Sequence, residues 1–358
     1  MKKKKLPEVV TNPEEAAEEA GLVYVHDFAP GIRRKLKGKH FQYLSPEGKV
    51  IKDEKILQRI RSLVIPPAWK DVWICTKANG HLQATGRDAR NRKQYRYHPK
   101  WRAFRDQTKY DRMIAFGEAL TKIRQQVQKD LGLPGMSREK IIATVVQVME
   151  KTLIRIGNEE YAKENHSYGL TTLREKHVEI QGSTVRFHFK GKSGVTHDIE
   201  LHDRRLAKII QRCEDLPGHE LFEYQDEEGH IHTVGSHDVN EYLQKVTGED
   251  FTAKDFRTWY GTVLAAEALK SYEEFDSQAQ AKKNILQAIE TVAKKLGNTK
   301  TVCRKCYIHP AIMDSYMDRS LLKNLQGEIK NLVASSIKSL RPEEVAVIAF
   351  LYQRIQKS

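Results

Sequence analysis

A chain of 358 residues with 39% hydrophobic content is long enough for two domains, each with its own core. Its 61 Lys and Arg against 47 Asp and Glu leave a formal charge of +14 and a pI near 9.4, a balance that favours a polyanionic partner. A mean hydropathy of −0.62, with no run approaching ~18 apolar residues, excludes a membrane span, so nucleic acid is the expected partner and a membrane is not.

Four cysteines are too few for a disulfide framework and fit a reducing compartment. Lys2 to Lys5 are followed by Leu6-Pro7-Glu8 where a signal peptide would have an apolar run, so a cytoplasmic protein is expected. Residues 1–22, lysines followed by an acidic, Ala-rich stretch, read as a flexible N-terminal arm or a short solvated helix.

Strand-like pieces at Phe41–Tyr43 and Val50–Ile51 flank Ser45-Pro46-Glu47-Gly48 and predict a hairpin, with a helix over Ile56–Leu63 after it. A second hairpin is predicted from Val72–Cys75, the turn Ala78-Asn79-Gly80-His81 and Leu82–Thr85, because Asn-Gly suits left-handed dihedrals. A basic cluster follows: Arg87, Arg90, Arg92, Lys93, Arg96 and Lys100, interleaved with Tyr95, Tyr97 and Trp101 and almost free of acids. Basic side chains neutralise phosphates while tyrosines stack or hydrogen-bond in a groove, so this edge is a candidate nucleic-acid surface.

From about Phe104 the periodicity turns helical. Ile142, Val145, Val146, Met149, Leu153 and Ile156 predict one helix between Ser137 and Gly157, with Arg155 in its last turn. His177–Ile180, Val185–Phe189 and Val195–Leu201 then alternate across two turns as a three-stranded antiparallel meander, with Lys192 at one tip. Helices are predicted near 203–214, 237–246, 257–270, 277–296 and 342–356. The fold class is α+β: a small mixed antiparallel-sheet domain over 23–103, then a larger, mainly helical domain over 104–358 that contains the meander.

No phosphate-binding loop, H-E-x-x-H or G-x-S-x-G motif appears, so nucleotide-driven and zinc-hydrolase chemistry lose support. Cys303-x-x-Cys306 has His309 nearby but lacks a fourth ligand at motif spacing, and no metal site is expected. Arg155 in an apolar helix end, Lys192 on a turn, Arg257 in Lys254-Asp255-Phe256-Arg257-Thr258 and Tyr307 after Cys306 are unusually framed, though periodicity alone does not pick Tyr307. Each alone has a bland explanation, since arginines pair, lysines sit on turns, and Tyr307 is one of 14 tyrosines.

Taken together, the segments resemble the type IB DNA topoisomerases, in particular the compact poxvirus and bacterial branch. The matching pieces are Ile154-Arg155-Ile156-Gly157, Tyr161, Lys163-Glu164-Asn165, Gly169-Leu170-Thr171-Thr172-Leu173 and Lys176-His177-Val178-Glu179-Ile180. Further along come Phe189-Lys190-Gly191-Lys192, Lys254-Asp255-Phe256-Arg257-Thr258 and Leu296-Gly297-Asn298 through Arg304-Lys305-Cys306-Tyr307, so the likeness spans about residues 28–320. It implies Tyr307 as nucleophile, Arg155 and Arg257 as phosphate clamps, Lys192 as general acid, and Asn298 where much of the family has His. Gln94-Tyr95-Arg96-Tyr97 resembles the DNA-contacting end of the family's N-terminal domain, which makes Arg92, Lys93, Gln94, Tyr95 and Tyr97 the expected DNA contacts.

The resemblance implies relaxation of supercoiled double-stranded DNA through a 3'-phosphotyrosyl intermediate, without ATP or cofactor, by a monomeric clamp associated with the bacterial nucleoid. The chemistry is coherent. Guanidiniums offer planar, bidentate donors to phosphate oxygens, an ammonium can protonate a departing 5' alkoxide, and a phenol of pKa ~10 both attacks and leaves. Two alternatives use the same surface: a tyrosine recombinase, with the same Arg, Lys, Arg, Tyr chemistry, and a non-catalytic architectural DNA-binding protein, which needs no reactive tyrosine.

Overall fold

The first third of the chain builds an antiparallel sheet. The computed structural model describes residues 13–38, 40–88, 93–249, 251–272, 275–326 and 339–357, in two compact units, Met1–Asp111 and Arg112–Ser358. In the first, strands β1 (Ile32–Lys37), β2 (His40–Leu44), β3 (Lys70–Ile74), β4 (Leu82–Arg87) and β5 (Lys93–Tyr97) lie in the order β2-β1-β3-β4-β5. Helix α2 (Glu54–Ser62) is capped by Asp53, whose carboxylate accepts from the amides of Lys55 and Ile56. It closes a core of Ile32, Ile60, Val72, Ile74 and Ala84.

Both expected hairpins form, with differences. The chain turns back after β2, through Ser45 N to Lys49 O (2.8 Å), Ile51 N to Tyr43 O (2.9 Å) and a bridge between Leu44 and Val50, but the ladder partner of β2 is β1, from Arg33 opposite Leu44 to Lys37 opposite His40. Strand β1 reads Ile-Arg-Arg-Lys-Leu-Lys, which hides a strand inside a basic run. The β3–β4 hairpin forms, but neither Asn79 nor Gly80 adopts a positive φ. Gly80 is needed there for space, since a Cβ would lie 2.7 Å from Cys75 Sγ.

Of the expected arm, residues 1–12 lie outside the described residues. A short helix, α1 (Pro13–Glu19), buries Ala16 and Ala17 in a cluster with Leu22 and Trp101. Helix α3 (Pro99–Leu131) opens on proline, whose missing N–H costs nothing at a first helical position, and carries the chain into the second unit.

Helix α4 (Arg138–Thr152) follows, most of its side chains buried. It starts after Ser137 as expected, although the Ser137 hydroxyl makes no capping bond, and it ends early. Leu153 takes the left-handed conformation (φ 58°) and its amide still reaches Met149 O at 2.9 Å, so Arg155 lies beyond the helix and not in its last turn. The next carbonyls are bonded elsewhere: Leu170 N donates to Arg155 O (2.9 Å) and Thr171 N to Ile156 O (2.7 Å). Helix α5 (Glu159–Asn165) and a 3-10 turn at Leu170–Thr172 complete this stretch. Gly157 (φ +107°) and Gly169 cross so closely that a Cβ on Gly169 would lie 2.6 Å from Gly157 N and from Arg155 O, which rules out a side chain there.

The meander forms as β6 (Val178–Gln181), β7 (Thr184–Lys190) and β8 (Thr196–His202), in register from Thr184 opposite His202 to Lys190 opposite Thr196. After α6 (Arg204–Glu214) comes a small hairpin, β9 (Glu223–Gln225) and β10 (Ile231–Thr233), too short to show a period in sequence. The remainder is helical: α7 (Ser236–Thr247), α8 (Ala253–Lys270), α9 (Gln278–Leu296), α10 (Lys300–Cys306), α11 (Pro310–Met317), α12 (Leu321–Gln326) and α13 (Pro342–Lys357).

Phe256, Trp259, Tyr260 and Val263 bury α8 in the core of this unit. Arg124 of α3 joins Glu150 of α4 (2.8 Å), Glu344 of α13 (2.7 Å) and the Tyr260 hydroxyl of α8 (2.8 Å), so four helices share one buried, mutually paired network. Removing one partner from such a network costs ~3–5 kcal/mol, because the other charges stay buried. The network thereby fixes α8, which carries Arg257, and α4, whose end lies just before Arg155.

Candidate active site

Arg257 sits one turn into α8, whose start is set by Asp255 accepting from the amide (2.8 Å) and hydroxyl (3.0 Å) of Thr252. Its side chain is 5% exposed. One terminal nitrogen donates to Leu153 O and the other to Leu296 O (2.7 Å), so the guanidinium ties the ends of α4 and α9 together. Its Nε is buried with no hydrogen-bond partner in the protein.

One turn further along α8, Gly261 lets the Tyr307 backbone approach, since a Cβ would lie 2.8 Å from Tyr307 O. Thr262 Oγ1 donates to that carbonyl (3.1 Å) and accepts from His309 N (3.0 Å). The Tyr307 ring thus lies over the Arg257 guanidinium, 5.3 Å from ring centre to Cζ.

The segment Leu296-Gly297-Asn298-Thr299 is a stop and a restart. Gly297 takes the left-handed cap of α9 (φ 56°), Asn298 N donates to Ala293 O (3.0 Å), and Thr299 Oγ1 caps α10 through Val302 N. Helix α10 then lasts only to Cys306 and delivers Tyr307 at its C-cap, the amide still donating to Cys303 O at 3.0 Å.

Asn298 and Arg155 meet at this joint. Arg155 Nη2 donates to Asn298 Oδ1 (2.5 Å) and to Gly297 O (3.3 Å). The Asn298 amide nitrogen therefore faces away from the guanidinium, and it too is buried without a partner. Burial first, and then the like charge of Arg257, pull the Arg155 guanidinium below its ordinary pKa, while the Tyr307 phenol acts in the opposite sense. Two guanidiniums thus lie together with two buried donors, Arg257 Nε and Asn298 Nδ2, that no protein group satisfies.

Lys192 occupies a different environment. It is exposed, in a 3-10 turn at Lys192–Gly194 whose Ser193 has a positive φ of 63°. The structure therefore gathers Arg155, Arg257, Asn298 and Tyr307, and leaves Lys192 on the hairpin tip. His197, which the sequence reading did not single out, packs between Gly191 and Gly297, within 2.7 Å and 2.3 Å of where their Cβ atoms would be. The signal was present, because His197 sits in the strand register of Ile199 and Leu201, an unusual place for a polar ring. Cys303 is buried and Cys306 exposed; among the described residues no group of three or more His, Cys, Asp or Glu side chains is arranged to hold a metal ion.

In the first unit, β5 pairs with β4 and presents Tyr95 and Tyr97 to solvent, their rings parallel at 5.9 Å. Gln94 points to the other face, donating to Asp88 (3.1 Å), and Arg96 donates to Val64 O (2.8 Å). Lys93 is paired through its backbone with Arg87, while Arg90 and Arg92 lie outside the described residues.

Comparison with known proteins identifies the family. A family model described as the catalytic core of eukaryotic DNA topoisomerase I matches residues 98–335, and one described as the N-terminal domain of bacterial DNA topoisomerase IB matches residues 40–88. DNA topoisomerase 1B of Acanthamoeba polyphaga mimivirus is 32% identical over 295 residues, covering 80% of this chain and 88% of the relative. DNA topoisomerase 1B of Vaccinia virus (strain Copenhagen) is 23% identical over 303 residues, 82% of this chain and 91% of the relative. DNA topoisomerase 1 of Schizosaccharomyces pombe is 25% identical over 226 residues, which make up 62% of this chain but only 26% of that longer protein. The class defined by these matches is the type I DNA topoisomerase. Within it, the chain belongs to the type IB family, on the compact viral and bacterial branch.

Proposed function

We propose that the chain relaxes supercoiled duplex DNA by nicking one strand through Tyr307 and resealing it, with no ATP and no cofactor. The observation that carries this reading is the pair of buried, unpartnered donors, Arg257 Nε and Asn298 Nδ2, gathered with Arg155 and the Tyr307 ring. A phosphodiester seated there meets donors placed in advance for the charge that develops on its non-bridging oxygens.

In the forward step the phenolic oxygen of Tyr307, having given its proton to solvent water, bonds to phosphorus; a proton is taken back from solvent when the tyrosine is expelled. The bond from phosphorus to the 5' oxygen breaks, and Lys192 protonates that oxygen as it leaves. A 3'-phosphotyrosyl link then holds the cut strand while the duplex swivels. In reverse, the 5' hydroxyl returns its proton to Lys192 and attacks the link, expelling the tyrosine. One phosphodiester bond is exchanged for another, so resealing draws on no nucleotide.

Duplex binding falls to the basic, aromatic edge around Arg92, Lys93, Gln94, Tyr95 and Tyr97, with residues 23–103 as DNA-binding domain and 104–358 as catalytic domain. The working form is a monomer on nucleoid DNA in the cytoplasm; no helix among the described residues is long and apolar enough to cross a membrane. Incubation with positively and with negatively supercoiled plasmid, in EDTA and without ATP, tests the proposal. Relaxation of both is expected, and strict dependence on ATP or on a divalent cation for cleavage overturns it. Strand exchange between two duplexes without relaxation points to a recombinase, and binding without relaxation to an architectural protein.

A further inference from the structure

The turn that carries Lys192 closes on itself, through Gly191 N to Val195 O (2.8 Å) and Gly194 N to Gly191 O (3.1 Å). Neither bond reaches the arginine cluster. His197 does. Its ring stacks on Phe189 of β7, 5.0 Å between centres and 20° from parallel. A Cβ on Gly191 would lie 2.7 Å from ring atoms Cδ2 and Nε2, and a Cβ on Gly297 would lie 2.3 Å from Cε1.

Both distances are shorter than a Cβ tolerates, so glycine at each position is what lets the imidazole touch backbone on either side. On one side that backbone leads directly into Lys192, and on the other into Asn298. Burial foremost, and then the charges of Arg155 and Arg257, hold the imidazole pKa below its usual value. The neutral ring is thereby favoured over a third cation in the cluster.

We propose that His197 is a positioning residue for the proton-transfer step: wedged between Gly191 and Gly297, it sets the distance of the Lys192 turn from Asn298 and Arg155. This rests on the reading of Lys192 as the proton donor. A displacement of about 1 Å in a reacting group costs ~10²-fold in rate, which is the scale on which a lost wedge acts. The ring touches neither the phosphate nor the leaving oxygen in this scheme; it acts through Lys192.

Single-turnover cleavage by the full chain tests it, on normal duplexes and on duplexes whose 5' bridging oxygen is replaced by sulfur. A thiolate leaves without a proton, so sulfur bypasses the lysine. His197→Ala should slow normal cleavage about 10- to 100-fold with unchanged DNA affinity, and sulfur should restore most of the loss. Gly191→Ala, at a backbone conformation any residue adopts (φ −95°, ψ −164°), should give the same pattern, because its methyl takes the place of the ring. It also supplies the answer if His197→Ala fails to fold. Combining the two substitutions should be no worse than His197→Ala alone, since the clash needs the imidazole.

Lys192→Ala is the control. If sulfur rescues Lys192→Ala but neither His197→Ala nor Gly191→Ala, the inference is overturned and the donor reading stands. If sulfur fails to rescue Lys192→Ala, the donor reading falls and the inference with it. Normal cleavage at the full rate by His197→Ala also overturns the inference.

Discussion

Arg257 and Lys192 are the two cations the proposed reaction depends on most, and the fold treats them in opposite ways. Arg257 is embedded in the core, two of its nitrogens committed to the carbonyls of Leu153 and Leu296, with Nε left over. Lys192 stands exposed on a turn. Under the proposed reaction, the difference fits the chemistry asked of each. A guanidinium has five donors in a rigid fork, so it can be fixed by backbone and still present N–H groups to a phosphate. An ammonium fixed that way would have no freedom to follow a leaving oxygen and release its proton to it.

The largest expected effect tests the side of the comparison that holds Tyr307 and Arg257. Tyr307→Phe keeps the ring over Arg257 and the backbone bonds to Cys303 and Thr262, none of which involves the phenolic oxygen. Fold and DNA affinity should survive while the covalent adduct disappears. Denaturing gels of trapped complexes check this, and an adduct that persists, or that maps by peptide sequencing to another tyrosine, rejects the assignment.

The next pair sets the two cations against each other. Arg257→Ala should lose ~10³-fold or more in cleavage, beyond what one oxyanion donor supplies, because the charge clamp goes together with the bonds that join α4 to α9. Its stability should fall as well, by ~1–3 kcal/mol for each buried carbonyl left unpaired. Lys192→Ala should lose ~10²- to 10⁴-fold with stability intact. A 5'-sulfur substrate sharpens the contrast, for it should rescue Lys192→Ala and leave Arg257→Ala slow. Equal rescue of both, or of neither, erases the distinction between clamp and donor.

Much of this was legible in the sequence, and the reasons differ by region. Period-2 alternation in Val185, Phe187 and Phe189 gave the meander, because one face of that sheet is buried and the other wet. The end of α4 was misread because the apolar spacing of Leu153 and Ile156 continues past the point where the helix stops. What stops it is a set of long-range bonds, from Arg257 to Leu153 O and from Leu170 and Thr171 to the next carbonyls, which no local pattern reports. Strand β1 was missed for a related reason, since pairing on both sides by β2 and β3 makes a strand of a basic run. The family resemblance picks out Arg155, Lys192, Arg257, Asn298 and Tyr307; for His197 the sequence shows its place in the strand register but not its contacts with two glycines 106 residues apart in the chain.

Asn298 stands between the two extremes, half committed and half open. Its carbonyl oxygen is occupied by Arg155 and its amide nitrogen is an orphan donor. Asn298→Ala should cost up to ~10²-fold in cleavage, the lower end of what one oxyanion donor contributes, and sulfur should not restore it. Single-turnover rates on the two substrates decide the matter. An unchanged rate would mean that the amide only steadies Arg155.

The smallest effect is expected where the first unit meets solvent. Tyr95 and Tyr97 lie stacked and exposed on β5, whereas Gln94 and Arg96 on the opposite face are hydrogen-bonded within the unit. Tyr95→Ala removes an aromatic face and no charge. Duplex affinity should therefore drop only about fivefold, corresponding to the ~1 kcal/mol at the low end of a stacking contact. The slope of log affinity against log salt should not change, since that slope counts neutralised phosphates and a tyrosine neutralises none. Titrations at several salt concentrations separate the two quantities. A shallower slope for Tyr95→Ala would show that the tyrosine orders basic neighbours on the phosphates, and an unchanged affinity would remove Tyr95 from the DNA surface; either result would limit the first unit's part in binding to its lysines and arginines.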